Sequence, residues 1–141
     1  MPFTIDLSNG IPVWAAYGVN MNLMPVGAGG FSGLAMAALT APADTVYLAD
    51  AAKLAYNPLG KLLRTNQIVP PSDDGPAIHG RHNGVANVLW MDAHVKAVKP
   101  VIPTVQYGPW SLDMYKNNNL GDLVAPGSVS TNPDYYFLIS K

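Results

Sequence analysis

The sequence predicts an α+β domain built mainly on an antiparallel sheet, with short helices and many loops. Three observations carry that expectation. Gly and Pro contribute 13 residues each to a chain of 141, half as many again as the roughly 12% usual in soluble proteins. Charged residues reach only 12% against about 25%, which argues against long, charged surface helices. The β-branched and aromatic runs are short and bounded by turn residues, as strands are. At about 100–200 residues per domain, the length allows one domain over residues 1–141.

Along the chain, residues 1–30 interleave Pro2, Gly10, Pro12, Gly18, Pro25, Gly27, Gly29 and Gly30 with apolar residues. This spacing predicts loops and short strands, with Val13 to Tyr17 the best strand. Ser32 is placed to cap a short apolar helix over 33–39, which Pro42 stops. Thr45 to Ala49 is β-branched and aromatic and ends at Asp50, the pattern of a central strand. Lys53 to Asp74 contains Asn57-Pro58, Gly60, Pro70-Pro71 and Asp73-Asp74-Gly75. It reads as a surface excursion with one helical turn around 60–63.

Next, Ala86 to Met91 and His94 to Val98 flank Asp92-Ala93 as the arms of a hairpin. Ala93 occupies a place that favours positive φ, at a cost of about 1 kcal/mol relative to Gly. Ser111 to Lys116 predicts a short helix, ended by Asn117-Asn118-Asn119 and Gly121. Tyr135 to Ile139 reads as a terminal strand, apolar on both faces, that needs a cover from the domain or from a neighbouring subunit. Residues 100–141 then form an extension packed on the domain or on its neighbours.

Eight basic residues are offset by nine acidic ones, for a formal net charge of -1, and no basic run is present. Such a surface offers a nucleic-acid backbone no concentrated positive field. Weak self-repulsion favours association between copies. The absence of Cys excludes disulfides, thiolate nucleophiles and Cys-based zinc sites. No run of about 18 apolar residues is present, and the start of the sequence lacks the pattern of a signal peptide. The expectation is a chain that neither spans a membrane nor exports itself.

The densest polar chemistry is His79-Gly80-Arg81-His82-Asn83-Gly84, followed by Asp92 and His94. His82, Asp92 and His94, with Asp50 from a neighbouring strand, are the ligand types of a divalent-metal site, but no His-Glu-x-x-His spacing supports one. The simpler reading has His82 bonded to backbone or to Asp92, pinning the hairpin. Ser32 or Ser72 with His82 and Asp50 would assemble a hydrolytic triad, yet no Gly-x-Ser-x-Gly elbow marks a nucleophile. Asp73-Asp74-Gly75 is a turn rather than a calcium loop. Gly27 to Gly30 lacks the Lys-Ser/Thr of a phosphate loop. The scattered aromatics, Trp110 and Tyr135 among them, are core or subunit-contact residues, with a sugar-binding platform as the minor reading.

The stretch from Arg81 to Lys96 resembles the signature of the prepilin-type processing-associated domain: a His, nine residues, then Asp-Gly. His82 and Asp92 stand at that spacing. Tyr17-Gly18-Val19-Asn20 is similar to the family's Tyr-Gly-x-Asn turn. Pro42-Ala43-Asp44-Thr45 and the run to Asp50 are similar to its Pro-Ala-x-Thr strand. Together these blocks cover about residues 14–99. Ala93 stands where the pattern has Gly, Val85 where a second Gly is usual, and the family's long N-terminal apolar helix is not in this sequence.

The resemblance implies the small globular head of a type IV pilin or type II secretion pseudopilin. It implies no catalysis and a structural hairpin signature of His82, Asn83, Gly84, Asn87, Asp92 and His94. The setting it implies is an extracellular or cell-surface bacterial filament of many copies. The stalk helix would lie outside this sequence or be supplied by a separate chain, as in a split pilin. Trp110, Tyr135, Tyr136, Phe137, Leu138 and Ile139 are the expected subunit contacts. The competing expectation is a metal- or carbohydrate-binding module, or a metal-dependent hydrolase, at the cell surface.

Overall fold

A computed structural model describes residues 16–24, 26–27, 30–31, 34–73 and 75–141. Residues 13–15 of the expected strand Val13 to Tyr17, the Ser32 cap, Ala28 and Gly29 of the Gly27 to Gly30 loop, and Asp74 lie outside the described residues. The strands are β1 (Tyr17–Asn20), β2 (Val26–Gly27), β3 (Gly30–Phe31), β4 (Val46–Asp50), β5 (Ala52–Tyr56), β6 (Leu59–Arg64), β7 (Gln67–Ile68), β8 (Ile78–His79), β9 (Ala86–Trp90), β10 (Val95–Val98) and β11 (Leu120–Gly121). Among the described residues one α-helix is present, α1 (Leu112–Asn117). Strand makes up 36% of the described structure, so the architecture is mainly β and the α+β expectation is corrected.

The correction has a local cause. The segment expected to form a helix before Pro42 makes only a single 3-10 turn, Met36–Ala38, with no side-chain cap. Lys53 to Asp74 is not a loop excursion: β5 and β6 pair as an antiparallel hairpin and β7 joins the main sheet. The alternating burial of Ala52, Leu54 and their neighbours outweighs the turn residues Asn57-Pro58 and Gly60, which gather at the hairpin tip. Tyr135 to Ile139 is not a strand either. Tyr135–Phe137 is a 3-10 turn, and the segment itself covers a sheet face.

The main sheet has the order β10-β9-β4-β1-β7. Its pairs are antiparallel except β1 with β7. One face carries Val46, Ala49, Ala86, Val88 and Trp90 into a core closed by Ile78, Leu123 and Phe137. Alternation along β9 places Val88 and Trp90 inside and Leu89 on the opposite face. By register, that opposite face carries Tyr17, Val19, Leu48, Leu89 and Val95. The second, smaller core joins β5 and β6 to α1 through Ala52, Leu54, Tyr115 and Leu120. Here the expected helix is present: Ser111 accepts a hydrogen bond from the Met114 amide, an N-cap, and Asn119 at φ 50° turns the chain after its end.

Candidate functional site

The signature stretch contains two tight turns. His82 and Val85 exchange backbone hydrogen bonds around Asn83 and Gly84, whose φ values of 56° and 84° are both positive, as a type I′ hairpin turn requires. The Asn-Gly dipeptide is the sequence signal for that turn. Gly80 is held for a second reason: a Cβ there would meet the Gly84 backbone at 2.8 Å. At the far end of β9, the Ala93 amide donates to the Trp90 carbonyl and the Trp90 amide to that of His94. Ala93 has φ 73°, so this is a longer loop ending in a left-handed residue, the position that suits Gly.

Between the turns, β9 lies beside β4, and the end of β4 brings Asp50 to the start of the signature. Asp50 is fully buried. Its Oδ2 accepts a 2.8 Å hydrogen bond from the Asn87 amide and stands 3.2 Å from His82 Nε2, while Arg81 Nε lies 3.2 Å from Oδ1. The Arg81 guanidinium also donates to the carbonyls of Ala16 (2.7 Å) and Ala51 (2.8 Å). A charge-assisted cluster thus ties the entrance of β1, the β4–β5 corner and the signature loop together. Next to it, His79 is buried, and its pKa is lowered to about 4, first by burial and then by the Arg81 charge.

The His82 partner is therefore Asp50, not Asp92. Asp92 accepts hydrogen bonds from the His94 amide and ring. The amide bond is the first cause holding its carboxyl below the usual range. The four proposed ligands fall into two pairs at opposite ends of β9. Among the described residues, no group of three or more His, Cys, Asp or Glu could hold a metal ion. The hydrolytic triad is not assembled around Ser72 either, whose hydroxyl donates to Asp134. Asp50 stays out of water, its Oδ2 hydrogen-bonded to the Asn87 amide and its Oδ1 held by the Arg81 charge without a hydrogen bond.

The expected contact residues separate as well. Phe137 is buried in its own chain's core, and Tyr136 meets Trp90 edge-on at 4.8 Å. Tyr135, Leu138 and Ile139 are half-buried. Trp110 is half-buried far along the chain, donating from Nε1 to the Ala55 carbonyl and touching Tyr56 at 4.5 Å between ring centroids.

Residues not assigned a role from sequence tie the fold. Asn20, fully buried, donates to the carbonyl of Val46 at 3.0 Å and of Phe137 at 3.4 Å. The Tyr-Gly-x-Asn block is thus strand β1 rather than a turn, and its Asn fastens the C-terminal segment to the sheet. The Thr45 hydroxyl, placed to donate to either, lies 2.9 Å from the Ala41 carbonyl and 3.2 Å from that of Leu138.

The opposite face of the sheet holds a groove of about 700 Å³ lined by Val19, Leu23, Met24, Leu34, Met36, Tyr47, Leu89, Trp90, Met91 and Ala93. No charged side chain is among these. Tyr47 and Met36 are 41% and 53% exposed, so large apolar groups face solvent there. No helix among the described residues is long and apolar enough to cross a membrane. Compared with known family models, curated proteins and solved structures, the chain matches none.

Proposed function

We propose that this chain is a non-catalytic head domain that assembles, through the sheet face left open among the described residues, into a pilus-like or pseudopilus-like filament at the cell surface. The observation that carries this reading is the apolar face of the main sheet: Tyr17, Tyr47 and Val95 are 49%, 41% and 65% exposed beside the Met-lined groove. Contiguous apolar patches of this kind mark interaction surfaces. Two further features support it. The polar residues of the signature are spent on internal ties, which leaves Asp50 without access to a substrate. Low net charge lets copies approach closely.

The reading is tested by recovering the chain with its native assembly. Expected is a chain held in high-mass material and released as the apolar face is mutated to Ser. A monomer at every concentration, bound to nothing in a pull-down from native filaments, would contradict it. So would stoichiometric zinc or calcium lost in the His82→Ala, Asp92→Ala pair, which would favour the metal-dependent reading.

A further inference from the structure

Away from the sheet-face groove, a cavity of about 390 Å³ opens where the segment after β10, the Asn83-Gly84 turn and the end of α1 meet. Lys99 and Lys116 line it together with Asn117 and Asn119, while Pro100 and Ile102 supply an apolar wall. No acidic residue is among the lining residues. The two lysines are distant in sequence, and backbone pairing brings them together. Val101 and Asp122 exchange two 2.9 Å hydrogen bonds, and the two segments run so close that a Cβ on Gly121 would meet the Val101 carbonyl oxygen at 2.5 Å. The Gly80 amide donates to the Asn119 carbonyl at 2.8 Å, which fixes the signature turn against the corner after α1.

The polar groups of this cavity are not spent on the fold. Among the described residues, the side chains of Lys99, Lys116, Asn117 and Asn119 make no hydrogen bond or ion pair. The carbonyls at the end of α1 are already met, that of Met114 by the Asn118 amide and by Asn118 Nδ2 at 2.8 Å, and that of Lys116 by the Asn119 amide. The Lys116 charge is therefore not needed as a cap. Two like charges share one cavity with no counter-charge, and a cleft lined by one sign of charge concentrates its field on an ion of the other. We propose that this cavity binds a phosphate monoester of a small polyol, with the phosphate at Lys99 and Lys116, the hydroxyls at the Asn117 and Asn119 carboxamides and the carbon face on Pro100 and Ile102.

The donor set selects that class. Ammonium groups act as point charges suited to a tetrahedral phosphate, whereas a planar carboxylate is met best by the paired donors of Arg, and no Arg lines the cavity. A phosphate monoester carries a charge of about -1.5 to -2 at neutral pH, which balances the two lysines. Carboxamides offer both a donor and an acceptor to hydroxyl groups. The volume lies at the lower end of the roughly 300–1,000 Å³ usual for ligand cavities, which suits a single compact molecule. The cavity shares no lining residue with the sheet-face groove, and the inference goes beyond the assembly reading without resting on it.

Titration of the isotope-labelled full chain with glycerol 3-phosphate and with glucose 6-phosphate, followed by amide chemical shifts, tests the proposal. Expected is saturable binding of at least one ester, with shifts gathered at Gly84, Lys99, Ile102 and residues 116–119. Lys99→Gln and Lys116→Gln are each expected to weaken binding about tenfold, the loss of one charge-assisted contact, while Lys61→Gln, outside the cavity, leaves it unchanged. Glycerol and malonate are expected not to bind. Failure of both esters to saturate overturns the proposal, as does full binding by the Lys99→Gln, Lys116→Gln double variant or an equal loss in Lys61→Gln. Malonate binding as tightly as the better ester overturns the phosphate assignment. The double variant is expected to assemble as the wild type does, so loss of ester binding and loss of assembly are read separately.

Discussion

Asp50 and Arg81 form a buried ion pair, 3.2 Å apart, at the point where three segments of the chain meet. The guanidinium spans the carboxylate and two backbone carbonyls, so neither charge is left uncompensated. His82, the residue that stands out in the sequence, is the exposed member of the cluster, with 51% of its side chain in solvent.

The cost of mutation should follow burial rather than motif. Removing one partner of a buried pair leaves the other uncompensated, so Asp50→Ala or Arg81→Met is expected to destabilise by about 3–5 kcal/mol. His82→Ala should cost about 1 kcal/mol or less. Urea denaturation of the three variants checks the order, and equal losses for His82 and Asp50 would refute it.

Ala93 holds a backbone conformation disfavoured for a residue with a Cβ. Ala93→Gly is expected to stabilise by about 1 kcal/mol, while Gly84→Ala should destabilise by a similar amount because it imposes the same strain on the other turn. Thermal denaturation reads both, with opposite signs of the Tm shift.

Two buried groups titrate with opposing effects on stability. His79 has a folded pKa of about 4, below its ordinary 6.5, so acidification from about 6.5 to 4 protonates the unfolded chain first and lowers stability. Asp122 is raised to about 7, first by burial and then by Asp134, so the fold keeps a proton that the unfolded chain releases. Its effect is to lower stability as pH rises from about 4 to 7. Between pH 4 and 6.5 the two offset each other and the wild-type profile is expected to be nearly flat. Asp122→Asn should expose the His79 slope, with stability rising with pH, and gain roughly 2 kcal/mol near neutrality. His79→Gln should expose the reverse slope. Denaturation midpoints at half-unit pH steps test this, and parallel profiles for all three proteins would refute it.

The C-terminal segment should behave as core. Phe137→Ala is expected to cost about 3–5 kcal/mol, whereas Tyr135→Ala, at a half-buried ring, should cost distinctly less. Asn20→Ala should loosen the same segment by about 1–3 kcal/mol, visible as faster amide exchange over 135–139 than in the main sheet.

What the sequence made legible is what local chemistry controls. The β9–β10 hairpin follows from two short runs flanking Asp92-Ala93, the strand ending in Asp50 from its β-branched run, and α1 from Ser111 and the Asn residues beyond it. The smaller hairpin was hidden because Asn57-Pro58 and Gly60 are loop residues at its tip, while Ala52, Leu54 and Leu62 carry its pattern weakly. Tyr135 to Phe137 has the composition of a strand, but Asn20 and Thr45 capture the carbonyls of Phe137 and Leu138, and tertiary bonding settles the turn. The partner of His82 was hidden for a different reason. Pairing of β4 with β9 brings Asp50 to it from 32 residues away, and no spacing within the signature encodes that.

The central claim is that the apolar sheet face carrying Tyr47 and the Met-lined groove is an assembly surface, and hydroxyl-radical footprinting of the dilute chain and of native assembled material tests it most directly. The account predicts fast labelling of Met36, Tyr47 and Met91 in the dilute chain and at least tenfold protection of all three after assembly. Equal labelling of these residues in both states would contradict it.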